Sequence, residues 1–238
     1  MESKNNIEKE IQEIINAYDY LIRGINKKAH VTEGRAYGGI VRAGKGKLVE
    51  SIAKQIVLIA WHLLKGDPNR LEFRNKKIKI PIKRDYINKI KNPEFKKYLF
   101  NNIDRCHYLQ KSDLHIFIDN KFVIAIECKA YTENAMMKRI LVDFTLLKGA
   151  NPNLDCILLQ LESQLGGDYF QLGNIIFGSF PTHTLLSHFD VDLYIITLLK
   201  GERRVDQPIH IPQYYKPLTK NSVLNAITVI KNLLKRYK

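Results

Sequence analysis

The chain is expected to fold as an α/β protein, with a mixed β-sheet flanked by helices on both faces. Two observations lead there. The apolar runs FVIAIECKAY (122–131), LDCILLQLE (154–162) and VDLYIITLL (191–199) are strand-like but not alternating, so both of their faces should be covered. Between and around them lie stretches whose apolar residues recur with the helical period.

Each element follows in order. From Ile7 to Ile25 the apolar positions are 7, 11, 14, 15, 18, 21, 22 and 25, which predicts an amphipathic helix. Residues 30–46 hold Gly34, Gly38, Gly39, Gly44 and Gly46 among Arg35, Arg42 and Lys45, and read as a flexible basic loop. A largely buried helix is expected over 47–64. LEFR (71–74) and KIKIPIK (77–83) read as strands, the second an exposed edge that tolerates Pro81. The basic stretch 84–110 is partly helical, with Pro93 opening a helix. SDLHIFI (112–118) and FVIAIECKAY form two strands joined by a tight turn at Asp119-Asn120-Lys121. A helix over 132–148 would take Thr132 as its N-cap and bury Met137, Ile140, Leu141, Phe144 and Leu147. The two later strands flank a Gly-rich, irregular 162–188, and a helix over 221–237 ends the chain.

Composition narrows the function. The 238 residues suffice for one well-packed domain, expected over 1–238. Hydrophobic content of 45% and a mean hydropathy of −0.24 suit a soluble protein, and no apolar run reaches membrane-spanning length. The polar start MESKNNIEKE is unlike a signal sequence, so a cytoplasmic protein is expected. Cys106, Cys128 and Cys156 are odd in number and form no CxxC pair, so neither a disulfide frame nor a zinc knuckle is suggested, and they read as reduced, mostly buried thiols. The net charge is +14, and residues 65–111 alone hold fourteen Lys/Arg against five Asp/Glu. A clustered excess of this size favours a polyanionic partner, nucleic acid above all.

The segment VIAIECK places Glu127 and Lys129 two residues apart after a buried run. Side chains at i and i+2 share a strand face. Burying either charge alone is costly, so the two should pair, bind an ion or line a cleft. Asp113 begins the preceding strand. If Ile118 pairs with Phe122, paired positions sum to 240 and Asp113 faces Glu127. With a two-residue loop they sum to 239, and Asp113 faces Ile126 unless a bulge restores the register. In the first register two carboxylates and a lysine converge. Such oxygens suit Mg²⁺, with the Cys128 carbonyl as a further ligand, and Lys129 would stand beside a phosphate.

Asp113, thirteen intervening residues and Glu127-Cys128-Lys129 together resemble the signature of the PD-(D/E)xK nuclease superfamily, with Ser112 where the motif has proline. In length and charge the chain is similar to the type II restriction endonucleases. The resemblance implies a restriction endonuclease-like core over 111–200, with a helical, basic part over 1–110 and a basic loop and last helix over 201–238. It implies Mg²⁺-dependent, sequence-specific hydrolysis of double-stranded DNA by a homodimer, with a DNA methyltransferase encoded separately. It also implies an additional acidic residue on an N-terminal helix, best matched by Glu50. A repair, resolvase or mobile-element nuclease, and a non-catalytic DNA-binding protein, are the alternatives.

Arg35, Arg42, Lys45, Lys47, Lys111, Arg203 and Arg204 are candidates for DNA contacts, because basic loops near a nuclease cleft can clamp the backbone. His107, His115, His183 and His188 lack metal-ligand spacing, and His115 reads as a core residue. Gln160 is assigned no role, and Asp143 reads as an exposed helix position.

Overall fold

In the computed structural model the structure describes residues 2–29, 35–166 and 178–238, with side chains for 6–24, 43–166 and 178–238. Among them, five strands form a mixed sheet in the order β1 (Leu71–Arg74), β4 (Leu114–Ile118), β5 (Lys121–Glu133), β6 (Asp155–Gln164) and β7 (Leu193–Thr197). β1, β4 and β5 are antiparallel neighbours, while β5, β6 and β7 run parallel. β2 (Ile78–Pro81) and β3 (His107–Gln110) pair separately. This is the expected α/β architecture: a mixed sheet between helices.

The two sheet faces bury different helices. On one, α1 (Glu2–Ala29), α2 (Arg35–Leu63) and α7 (Lys220–Leu234) cover Ile116, Ile118, Ile124, Ile126 and Cys128. On the other, α5 (Asn134–Ala150) and α6 (Phe180–Ser187) cover Ala125, Cys156 and Leu158. Met137, Ile140, Leu141, Phe144 and Leu147 are the buried residues of α5, as their spacing requires. The short helices α3 (Arg84–Lys89) and α4 (Pro93–Asn101) lie between β2 and β3. Pro93 sits in the first turn of α4, and Asn92 caps it by accepting from the Phe95 N–H at 2.9 Å.

Several expectations are corrected. The glycine-rich 30–46 stretch is not one loop: α2 already begins at Arg35 and runs through four glycines. Leu48, Val49, Ile52 and Ala53 are buried on this helix, and such packing outweighs about 1 kcal/mol per helical glycine. Thr132 is not the cap of α5. It is buried in β5, which continues to Glu133, the residue in the N-cap position. In the stretch expected to be irregular, β6 extends to Gln164 and Pro181 lies in the first turn of α6; residues 167–177 lie outside the described residues.

The 118–122 connection decides the site. Ile118 pairs with Lys121, so the loop is the two residues Asp119 and Asn120, with φ of 49° and 65°. Both occupy the left-handed region that a tight hairpin demands and that Asn and Asp tolerate. The register then shifts between Ile116 and Phe117: Phe117 pairs with Phe122, but Ile116 pairs with Ile124. Val123 is the extra residue of a β-bulge, and it packs in the same core as its neighbour Ile124. Beyond the bulge paired positions sum to 240. Asn120→Val is expected to lower stability by about 1 kcal/mol, read as a shift in urea midpoint at constant m-value, because a β-branched residue resists positive φ.

Candidate active site

The bulge brings Asp113, Glu127 and Lys129 to one sheet face, the one covered by α5. Asp113 lies just before β4, where the 240 register sets it across from Glu127. Its Oδ2 accepts from the Cys128 backbone N–H at 2.7 Å, which ties the carboxylate to β5. Lys129 Nζ bridges the two acids, at 3.1 Å from Asp113 Oδ2 and 2.5 Å from Glu127 Oε1. It also lies 3.3 Å from the Cys128 carbonyl oxygen. The Asp113 side is braced further by His115, whose Nε2 accepts from the Ser112 N–H at 3.0 Å.

The electrostatics are those of a half-buried charge cluster. Burial pushes the Glu127 carboxyl above its ordinary pKa; Lys129 pulls it back, and Asp113 adds to the rise. Burial works against the Lys129 ammonium too, but Glu127 and Asp113 together outweigh it and hold that pKa above its usual value. Two carboxylates against one ammonium leave this trio with one surplus negative charge. A cleft of about 510 Å³ opens over it, lined also by Tyr108, Lys111, Arg139 and Asp143. Asp143 is therefore a half-buried wall of that cleft rather than an exposed helix position.

The other predicted residues are dispersed. Glu50 is half-buried on α2, the helix on the opposite sheet face, and its charge acts on the Cys128 thiol. Among the described residues no three His, Cys, Asp or Glu side chains form a metal-sized group, Glu50 included. Lys45 is buried, with Nζ 3.5 Å from His210 Nδ1, and so does not present its ammonium on an open surface for phosphate. Lys47 and Arg204 are exposed, and Lys111 is exposed at the cleft. The Arg203 guanidinium stacks 3.7 Å over the Tyr131 ring and donates to Gln164 Oε1 at 2.5 Å. The side chains of Arg35 and Arg42 lie outside the described residues.

Gln160 is a residue that sequence reasoning passed over. It pairs with Lys129 across the parallel β5–β6 ladder and is fully buried. Its Nε2 donates to Thr197 Oγ1 at 3.0 Å, and its Oε1 has no protein partner among the described residues. Only a register that includes the parallel pairing could have revealed that position.

None of the three cysteine thiols belongs to a metal-sized group among the described residues. Burial raises the Cys156 thiol to about 12, and Cys128 is also buried, whereas Cys106 is partly exposed. A thiol reagent at neutral pH is expected to label Cys106 fast and the other two only on unfolding, scored by mass spectrometry of peptides. Fast labelling of Cys156 in the native protein would contradict this packing.

Comparison with known proteins fits this chemistry. The chain is 48% identical over 232 residues to the type II restriction enzyme DdeI of Desulfomicrobium norvegicum (strain DSM 1741 / NCIMB 8310), covering 95% of this chain and 97% of that protein. A solved structure described as the native BbvCI A2B2 tetramer at low resolution aligns over 98% of this chain and 95% of its own, at 12% identity and a TM-score of 0.33, too loose a likeness to bear on the site. No protein-family model matches.

Proposed function

We propose the chemistry of this site from one premise: the chain belongs to the type II restriction enzyme family and is a type II restriction endonuclease-like enzyme, a site-specific DNA endonuclease. The observation that carries the proposal is the convergence of Asp113, Glu127 and Lys129 on one face of the β4–β5 hairpin. This arrangement supports a PD-(D/E)xK site. Enzymes of this kind are generally dependent on a divalent metal.

The donor set fits Mg²⁺. That ion takes hard oxygen ligands, keeps several waters and needs only one or two carboxylates from the protein. Asp113 and Glu127 supply those, the Cys128 carbonyl lies beside them, and the surplus negative charge favours a cation. When bound, Mg²⁺ would supply Lewis-acid polarisation of the scissile phosphate and lower the pKa of a bound water. The protein's own part is positional. The Cys128 N–H holds Asp113 in line with Glu127, and Lys129 offers an ammonium to charge developing on the phosphate. Lys111 at the cleft, and Lys47, Arg203 and Arg204 beyond it, would contact the DNA backbone. Two copies would act together, since cutting both strands requires two such sites and a two-fold dimer matches a palindromic target. A separately encoded methyltransferase would protect the host's own copies of that target.

Plasmid incubated with the purified protein should yield discrete bands in Mg²⁺ and none in EDTA. A smear, or cutting in EDTA, would overturn the reading. Glu50→Ala should retain cutting if that carboxylate acts only on the far side of the sheet; loss of cutting with normal folding would bring it into the site.

A further inference from the structure

The segment 75–111 is not needed to build the sheet. β1 and β4 are already hydrogen-bonded neighbours, with Arg74 paired to His115, and the segment between them leaves the sheet and returns. It contains the β2–β3 ribbon, α3 and α4. It holds eleven Lys/Arg and three Asp/Glu, a net +8 of the chain's +14. All of its cations except Lys96 are exposed, and none makes an ion pair among the described residues.

Ile87 of α3 is buried and Ile78 and Ile80 of β2 pack against the core under α5, but the aromatic side chains of α4 are exposed. α4 has no buried residue, although it carries Phe95, Tyr98 and Phe100, which are 47%, 62% and 44% exposed. Tyr108 on β3 is 61% exposed and belongs to the wall of the Asp113–Glu127 cleft. A helix that buries none of its rings is an unpartnered surface. The occupant must tolerate a strongly positive face, which disfavours a second copy of the same +8 segment. It must also reach the cleft, since β3 runs through Lys111 and Ser112 directly into Asp113.

We propose that the 75–111 excursion is the duplex-docking arm of the enzyme. The exposed Lys89, Lys91 and Lys97 meet DNA phosphates, while Phe95 and Tyr98 contact sugars and base edges. An α-helix with its side chains is about 10–12 Å across, a match for a major groove about 12 Å wide. Lysines on phosphates give affinity without sequence preference; the rings beside them sit where contacts to base edges would confer it. This rests on the reading that Asp113, Glu127 and Lys129 cut DNA, because the arm is placed by its continuity with that cleft.

The test uses the full chain, with Lys91→Ala/Lys97→Ala as one variant and Tyr98→Ala as another. All three positions are exposed, so melting temperatures should stay at the wild-type value. Binding to a labelled duplex of about 30 base pairs is followed by anisotropy in EDTA across a salt series. The lysine pair should weaken binding about tenfold or more and reduce the slope of log K against log salt by about two. Tyr98→Ala should weaken binding at an unchanged slope. Wild-type affinity and slope in both variants would overturn the arm, and so would intact DNA binding with a dimer lost in sedimentation, which would make α4 a subunit contact. A wild-type protein that binds with the expected slopes but does not cut plasmid in Mg²⁺ would sink the active-site reading and leave the arm standing.

Discussion

Glu127→Ala is expected to lower DNA cleavage by roughly a thousandfold or more while leaving DNA binding intact. Three features of the structure set that expectation. Glu127 is one of three carboxylates lining the cleft, with Asp113 and Asp143, and Asp113 is held by the Cys128 N–H and does not depend on it. Burial already works against the Glu127 charge, so its removal relieves desolvation and should not unfold the chain. Lys129 keeps Asp113 as a partner at 3.1 Å. In EDTA the variant should bind duplex at least as tightly as wild type, because a negative charge facing the phosphates is gone. Lys129→Ala should also abolish cutting, but it leaves two half-buried carboxylates facing each other and should weaken DNA binding. The paired readout is plasmid cleavage in Mg²⁺ and anisotropy in EDTA. Wild-type cutting by Glu127→Ala would refute the assignment of the site.

How much of this was legible beforehand differs from residue to residue. That Glu127 and Lys129 share a face follows from strand periodicity in any register. Asp113 was different. The sequence left two registers open, and the structure combines them: the two-residue loop of one, and a bulge that restores the 240 pairing of the other. A bulge has no composition of its own, and Val123 reads like any core strand residue. The helical start of α2 was hidden because glycines signal loops locally, while the packing of Leu48 to Ala60 beneath the sheet is a tertiary effect. Thr132 matched a cap signal, but continued pairing with β6 up to Glu133–Gln164 kept it in the strand. Lys45 looked like a phosphate contact because its neighbours are glycines and cations. Its burial depends on the 201–216 loop, more than 150 residues away, which no local pattern foretells.

That burial leads to the largest expected effect on stability. Glu162, 3% exposed, takes Lys216 Nζ at 2.9 Å from its Oε1, and its charge also supports Lys45. Lys45 needs the support: burial lowers its pKa, Glu162 pulls it back up, and Arg203 lowers it further. Around them, Lys216 also donates to the carbonyls of Gly201 and Glu202, and Tyr18 donates to the Lys216 carbonyl at 2.7 Å. The carboxylate thus ties α1, α2 and the 201–216 loop to the end of β6. Glu162→Ala would leave Lys45 buried without its acidic neighbour and Lys216 without its ion pair. Breaking one side of a buried pair in this way should lower unfolding free energy by about 3 kcal/mol, read from urea denaturation. Replacing Lys45 by Met in the same chain removes one stranded charge while keeping its apolar length, so the double variant should regain part of the loss. Additive losses in that cycle would mean that Glu162 and Lys45 do not interact, and that Glu162 acts on stability through Lys216 instead.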